Sequence, residues 1–162
     1  MRAMISFDEM VRARGVSSPT MSFIAEAFLD LPVSPEVAFD ALRDHPSWKK
    51  WMPRSFAPAS DLGRPLEEGD VIRVRVAGAP FASKIEVVKV ERAREITWAG
   101  GIRGVLHGRH RFLFEPREGG TRVTSAETWS GVLATLTKPA LLRAASKVGM
   151  QQLRGLERGV AR

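Results

Sequence analysis

The sequence contains no cysteine and no tyrosine among its 162 residues. Without cysteine the chain forms no disulfide bond, no thiolate metal site and no cysteine nucleophile. Without tyrosine, no phenol is available to donate a hydrogen bond in a binding site. Only three histidines are present. The set of side chains that could do chemistry is therefore small, and the absence of cysteine fits a reducing compartment such as the cytoplasm.

Long apolar runs are also absent. No stretch approaches the ~20 apolar residues that a transmembrane helix requires, and the N-terminus lacks the continuous apolar region of a secretory signal. With 25 Lys+Arg against 18 Asp+Glu, the net charge is +7. A basic balance is compatible with nucleic acid, an anionic lipid surface or an acidic ligand. The arginines are spread along the chain rather than gathered in one run, however, which is typical of a solvated surface.

The length and the patterns predict an N-terminal extension, residues 1–20, followed by a single domain, residues 21–162. A chain of this size fits one domain with a sizeable core. In the extension, Ser6 and Glu9 have the spacing of a capping box, which predicts a short helix over residues 6–14. Met4, Phe7 and Val11 share one face at helical spacing. Three alternatives stay open for this helix: docking on the body, docking on a second subunit in a homodimer, or fraying.

The body begins with an apolar strand and two short helices. Residues 21–31 predict the strand, and Ser34 and Pro35 have the N-cap and first-turn identities of a helix. Trp48 and Trp51 lie three residues apart on a second, shorter helical turn. Six further strands are predicted over residues 54–61, 70–77, 81–91, 94–99, 104–115 and 121–130. The last thirty residues carry apolar positions at helical spacing and predict one long amphipathic helix.

Successive strands with short turns predict an antiparallel sheet. The long C-terminal helix has to bury its apolar stripe against that sheet, which makes the fold α+β. A strongly curved sheet wrapped around a single helix leaves a concave, largely apolar space between them. The order of elements therefore predicts a cavity before any family is considered.

Several motifs along the body carry a family resemblance. They are Ser34-Pro35-Glu36-Val37-Ala38-Phe39, Asp44-x-x-x-Trp48-x-x-Trp51-x-Pro53, Ile96-x-Trp98, Gly108-x-His110-x-Phe112, Gly120-Thr121-Arg122-Val123 and Glu127-x-x-x-Gly131. With these motifs the sequence resembles the SRPBCC superfamily, which includes START domains, birch-pollen-allergen-like proteins and polyketide cyclase/dehydrase-like proteins. The resemblance implies a helix-grip fold, in which seven strands grip the C-terminal helix around a cavity for a hydrophobic small molecule. Such a fold hosts both carriers and enzymes, so it constrains function only loosely.

The candidate catalytic residues are His110 and Glu127, on the two strands of the predicted hairpin 104–130. If Phe114 pairs with Val123, His110 lies directly across from Glu127, with Cβ atoms ~4.5–5.5 Å apart on the apolar inward face. A buried carboxylate is costly unless it is paired, and the imidazole is a natural partner. Two readings stay open. The pair is a general acid and base, with Glu127 holding the tautomer and charge of His110, or it is a structural polar pair or backbone cap.

The candidate ligand-binding residues are the other side chains expected to face the cavity. They are Trp48, Trp51, Trp98, Phe112, Ser125, Trp129, Val148 and Gln152. Tryptophan rings stack on aromatic or isoprenoid ligands or fill the core, and Trp48 and Trp51 are expected at the mouth because they lie on the short helices. The Gln152 amide falls in an apolar stripe and needs a partner. No metal site is predicted, because His107 and His110 lie on opposite faces of a strand, and no cofactor is expected.

Three functions are compatible with these features. The first is a cytoplasmic carrier that binds a hydrophobic small molecule, such as a lipid, a quinone or an aromatic polyketide. The second is a polyketide cyclase/dehydrase-like enzyme with His110 and Glu127 as acid and base. The third is a basic module for ribosome, RNA or anionic membrane, built on the outward-facing Arg73, Arg75, Arg109, Arg111 and Arg122. These strands carry no outward aromatic residues for base stacking, which speaks against nucleic acid as a partner.

Overall fold

The computed structural model describes residues 22–161, and the predicted helix over residues 6–14 lies outside the described residues. A curled antiparallel sheet of seven strands, in the order β1-β7-β6-β5-β4-β3-β2, dominates the structure. The strands are β1 (Ser22–Leu31), β2 (Phe56–Pro58), β3 (Val71–Val76), β4 (Ser83–Glu91), β5 (Glu95–Ile102), β6 (Leu106–Arg117) and β7 (Gly120–Ser130). Strands β2 to β7 form a meander, and β1 completes the sheet by pairing with β7. The predicted α+β helix-grip fold is confirmed.

The helices follow β1 and β7, as the sequence predicts. They are α1 (Pro35–Arg43), a 3-10 turn (His45–Ser47), α2 (Trp48–Trp51), α3 (Val132–Leu136) and α4 (Lys138–Val160). The Ser34 hydroxyl caps α1 by accepting a hydrogen bond of 3.4 Å from the Val37 backbone N–H. The C-terminal region forms two helices rather than one. Pro139, in the first turn of α4, has no N–H to continue the hydrogen bonding of α3, so a new helix begins there.

The α4 helix packs its apolar stripe against the inner face of the sheet, and its Leu153 and Leu156 are fully buried. Two glycines allow the close approach. A Cβ at Gly149 would lie 2.8 Å from the Ser125 hydroxyl on β7, and one at Gly155 would collide with the backbone carbonyl of Trp51. These contacts fix the depth at which the helix sits in the sheet.

The register of the β6–β7 hairpin decides which side chains face the helix. Phe114 pairs with Val123, and His110 pairs with Glu127, so the predicted register is confirmed. On the other side of β6, His110 also lies across from Trp98 of β5. The resulting row of inward residues crosses the middle of the sheet beneath α4.

Candidate functional site

A cavity of about 440 Å³ lies between α4 and the inner face of the sheet. That volume falls within the ~300–1,000 Å³ typical of small-molecule sites. Five of the residues proposed from the sequence line it: Trp98, His110, Glu127, Trp129 and Val148. Most of the remaining wall is aliphatic, aromatic or glycine. The cavity is thus an apolar chamber with a small polar group at one place in its wall.

His110 is buried in that wall. Its Nε2 atom lies 2.8 Å from the Ser125 hydroxyl, and its ring stacks on Phe112 with centroids 4.4 Å apart. The edge of the ring meets Trp98, with centroids 5.3 Å apart. Burial in these apolar surroundings lowers the pKa of His110 to about 3. The imidazole is therefore neutral at physiological pH and acts as a hydrogen-bonding group rather than as a charge.

Glu127, the cross-strand neighbour of His110, is half-buried in the same cavity wall. Burial raises the pKa of Glu127 to about 7, and the indole N–H of Trp129 opposes this shift. The indole nitrogen itself is buried without a partner in hydrogen-bonding geometry among the described residues. Near neutral pH the carboxyl group is thus divided between its acid and carboxylate forms, and it can donate or accept a hydrogen bond.

The sequence leads one to expect a hydrogen bond between His110 and Glu127, but the imidazole bonds to Ser125 instead. Ser125 is the cross-strand partner of Phe112 and so lies diagonal to His110. Because the His110 ring stacks on Phe112, it leans toward Ser125 along the sheet. The two groups thus line the same cavity, and because the imidazole is neutral they form no ion pair among the described residues. A role of Glu127 in setting the tautomer of His110 stays a prediction.

This arrangement has one chemical consequence. A proton donor or acceptor works best when its pKa lies near the operating pH. Glu127, with a pKa of about 7, meets that condition, whereas His110, with a pKa of about 3, is a weak base. Proton transfer in this cavity would therefore fall to Glu127, and His110 would hold or orient a bound group.

Trp48 and Trp51 lie in the core rather than at the mouth of the cavity. The Trp48 indole donates a hydrogen bond of 2.8 Å to the Leu42 carbonyl, and its ring packs against Trp98 with centroids 5.4 Å apart. The Trp51 indole donates to the Ser47 hydroxyl at 3.0 Å. Trp51 packs against α4 where Gly155 and Gly159 leave room for its backbone and ring, so both tryptophans fill the space between α2, the sheet and α4.

Phe112, Ser125 and Gln152 lie behind the cavity wall, and all three are buried. Ser125 reaches the cavity only through its hydrogen bond with His110. Gln152 lies one helical turn beyond Val148, and neither its amide oxygen nor its amide nitrogen has a partner among the described residues. The sequence predicts that this amide needs a hydrogen-bond partner, and none of the described residues provides one.

Other lining residues were not singled out from the sequence as ligand-contacting. They include Phe56, Val76, Ile85, Leu106, Leu141 and Ala144. The alternation of β3 and the stripe of α4 already placed Val76 and Leu141 inward, so the pattern held a usable signal. The sequence held no such signal for Phe56, because β2 spans only three residues and is too short to show a hydrophobic period.

The outward-facing arginines are partly taken up by ion pairs. Arg122 binds Asp30 at 2.8 Å, and Arg111 binds Glu95 at 3.2 Å. Although burial opposes it, hydrogen bonds from Lys89, Thr97 and Arg111 lower the pKa of Glu95 to about 2. Some of the arginines are therefore paired with carboxylates of the sheet itself and are not free to bind a partner.

Two further properties bear on the type of site. Within residues 22–161, none of the helices is long and apolar enough to cross a membrane. Across the same part of the chain, no group of three or more His, Cys, Asp or Glu side chains is placed to hold a metal ion.

A sheet that grips one long helix around an apolar cavity defines the helix-grip class of the SRPBCC superfamily. The sequence model of the family described as "Polyketide cyclase / dehydrase and lipid transport" matches residues 23–160. The chain therefore belongs to that family. Among curated proteins, none matches this chain.

Solved structures share the fold at low sequence identity. The di-domain ARO/CYC StfQ from the steffimycin biosynthetic pathway superposes with a TM-score of 0.69 and 14% identity, covering 94% of this chain and 56% of StfQ. Ara h 8.0201 gives a TM-score of 0.60 and 14% identity, with 87% and 99% of the two chains covered. A protein of unknown function from Staphylococcus aureus gives 0.66 and 13%, with 88% and 96% covered. At such identities the likeness establishes the fold alone.

Proposed function

We propose that the protein is a cytoplasmic carrier that binds a hydrophobic small molecule in the cavity between α4 and the sheet. The cavity itself carries this proposal, because a chamber of about 440 Å³ with apolar walls holds a lipid-, quinone- or polyketide-sized molecule. The family description, which includes lipid transport, supports it. Burial of apolar ligand surface supplies roughly 25 cal/mol per Å².

The polar group in the wall indicates which ligands fit. His110 is neutral and Glu127 is about half protonated near pH 7, so neither group offers a fixed charge. A neutral ligand with one carbonyl or hydroxyl group can bond to Glu127, whereas a second anion would have to be desolvated beside a carboxyl group. An apolar, uncharged molecule with an oxygen-bearing end that reaches Glu127 therefore fits this wall best.

Binding is tested with native mass spectrometry of gently purified protein and with titration of an uncharged fluorescent lipid analogue. Ala144 is an exposed residue that lines the open edge of the cavity. We expect Ala144→Phe, which places a ring at that edge, to weaken probe binding at least tenfold. Ala140→Phe is the matched control, because Ala140 is exposed like Ala144 and lies one turn earlier on α4, but does not line the cavity. Equal affinity of the two variants would contradict the proposed site.

A second candidate function is favoured by the pKa of Glu127. A carboxyl group that titrates near pH 7 beside a neutral imidazole suits acid and base catalysis of the cyclase/dehydrase type. In a dehydration, the carboxylate would take a proton from carbon next to a carbonyl group. It would then return that proton to the departing hydroxyl group, which leaves as water and restores the carboxylate. His110 would bind the carbonyl oxygen.

This candidate is tested on any aromatic or polyketide compound found to bind. Glu127→Gln keeps the shape of the side chain and should lower turnover by a factor of 10² or more, the typical contribution of a general base. Glu118→Gln, in the exposed β6–β7 turn, should leave turnover unchanged. If both variants bind the compound and neither parent nor variant converts it, the protein is a carrier.

A further inference from the structure

Five exposed apolar side chains form one surface beside the cavity, here termed the rim patch. They are Ile102, Val105, Val132, Leu133 and Leu136, with 68%, 42%, 65%, 45% and 74% of their surface exposed. The tip of the β5–β6 hairpin and the start of α3 are joined by hydrogen bonds. The Val132 N–H donates to the Gly104 carbonyl at 3.1 Å, and the Leu133 N–H donates to the Val105 carbonyl at 2.9 Å. The patch is therefore continuous rather than a scatter of single residues.

The rim patch borders the cavity on the side of the hairpin. Gly101 and Leu106, which flank the exposed tip of the hairpin, line the cavity, and so does Leu141 of α4. Gly131 allows the hairpin and α3 to come together, because a Cβ there would lie 2.5 Å from the Val105 carbonyl oxygen. Exposed apolar groups gathered in one place indicate an interaction surface.

The route of the chain identifies an occupant. Ser22, the first described residue, pairs with Ser130, which directly precedes Gly131 and α3. The twenty-one residues before Ser22 therefore join the body beside the rim patch. Their sequence predicts a helix over residues 6–14 with Phe7 and Val11 on its apolar face, and Met4, just before the helix, falls on the same side. The seven residues from Gly15 to Met21 span up to ~23 Å when extended, which is long enough to bring that face onto the patch.

We propose that the rim patch is the docking surface for the N-terminal segment of the same chain, residues 1–21, through Met4, Phe7 and Val11. The size of the patch agrees with this occupant. A standard interface between two proteins uses roughly 20–30 residues a side, whereas five residues match the apolar face of one short helix. The covalent link also raises the effective concentration of the segment, so weak contacts are enough.

The test uses the full chain and exploits its lack of cysteine. A spin label is attached at Arg103→Cys, in the exposed hairpin tip, and in a second sample at Glu118→Cys, at the opposite end of β6. The broadening of amide signals from residues 4–11 is then measured by NMR. We expect strong broadening from the label at position 103 and none from the label at position 118.

Two full-length double variants test whether the apolar face of the segment makes the contact. Phe7→Ser with Val11→Ser removes the predicted apolar face and should abolish the broadening, whereas Asp8→Ser with Arg12→Ser changes the other face and should preserve it. Absence of broadening in the parent chain, or its persistence in the Phe7/Val11 variant, would overturn the proposal.

Other occupants give different results. Broadening between isotope-labelled chains and separate spin-labelled chains would assign the patch to a second copy and overturn the proposal. Binding to phosphatidylglycerol vesicles that is lost in Leu136→Ser, without intrachain broadening, would assign it to a membrane surface and overturn it as well. The measurement needs no ligand, so its failure is independent of a failure of the carrier function.

Discussion

At the scale of single residues, the cavity holds two ionisable groups whose pKa values move in opposite directions for the same reason. Burial penalises the charged form of each, so the pKa of the Glu127 carboxyl rises to about 7 and that of the His110 imidazole falls to about 3. Near pH 7 the His110 imidazole is consequently neutral in the folded chain, and the Glu127 carboxyl is about half protonated. An apolar ligand meets hydrogen-bonding groups there without meeting a fixed ion pair.

These shifts predict a pH-dependent effect of Glu127→Gln on stability. Because the folded pKa of Glu127 lies above its ordinary value of 4.5, the folded state binds the extra proton. The free energy of unfolding therefore falls as pH rises from about 4.5 to about 7. His110 acts oppositely, since its folded pKa is lowered, and its contribution is lost as pH falls from 6.5 towards about 3.

In the parent chain the two trends partly cancel between about pH 5 and pH 6. Glu127→Gln removes only the falling trend, so its stability relative to the parent should rise by on the order of 2–3 kcal/mol between about pH 4.5 and about pH 7, and level off above about pH 8. Urea unfolding at several pH values measures this difference. A difference that does not vary with pH would show that Glu127 titrates normally.

The orphaned amide of Gln152 gives a second prediction at this scale. Its side chain is fully buried and both polar atoms lack partners among the described residues. Gln152→Leu removes the unpaired groups and should raise the free energy of unfolding by about 1–3 kcal/mol. Gln151→Leu is the matched control, because Gln151 accepts a hydrogen bond of 2.7 Å from Ser55 and should lose stability. A loss of stability in Gln152→Leu would reveal a buried partner, such as an ordered water.

At the scale of elements, the grip of the sheet on α4 depends on where the helix has no side chain. Gly155 lies against the Trp51 carbonyl, while Gly159 would place a Cβ at an ordinary 3.4 Å from the Trp51 ring. The two glycines are one turn apart on the same helix, so helix propensity alone would treat them alike. Only the close packing of α2 against α4 distinguishes them.

Alanine substitution separates the two glycines. Gly→Ala within a helix ordinarily stabilises by up to ~1 kcal/mol, which is the expected direction for Gly159→Ala. Gly155→Ala should instead destabilise by about 1–3 kcal/mol, because the new methyl group meets rigid backbone and α4 has to shift outward. Thermal unfolding of both variants measures the contrast. If both were stabilised, α2 and α4 would not be in close contact in solution.

At the scale of the whole molecule, stability and binding are coupled through the cavity. A ligand that binds only the folded chain raises the free energy of unfolding, by about 2.7 kcal/mol at a free concentration one hundred times its Kd. We expect this stabilisation in the parent chain and in Ala140→Phe, and its loss in Ala144→Phe, because Ala144 lines the cavity. Thermal shift with the fluorescent lipid analogue measures it. Stabilisation of Ala144→Phe equal to that of the parent would locate binding elsewhere.

Much of the fold could be predicted because period and turn chemistry act locally. Alternation in β1 and β3 sets their faces, and Ser34-Pro35 sets the start of α1. The pairing of Phe114 with Val123 followed from placing both apolar faces inward, and it brought His110 across from Glu127. The division of the C-terminal region at Pro139 also had a local signal, in the proline itself.

The positions of individual side chains within the core were not predictable in this way. The sequence indicates that Trp48 and Trp51 are large and apolar, but not whether they face a cavity or fill a core. That depends on how closely α2 packs against α4 at Gly155. Likewise, the partner of His110 is Ser125 because the imidazole stacks on Phe112, a contact that exists only once the ring orientations are set.

The sequence by itself determined the order of the seven strands, the type of most elements and the register of the β6–β7 hairpin, because hydrophobic period and turn residues act between near neighbours. The tertiary structure alone decided which of the inward residues line the cavity, which partner the buried imidazole takes, and how far the Glu127 pKa rises. Those outcomes depend on the depth of α4 in the sheet and on the water excluded there. The depth of the helix and the exclusion of water both result from many contacts between residues far apart in the chain.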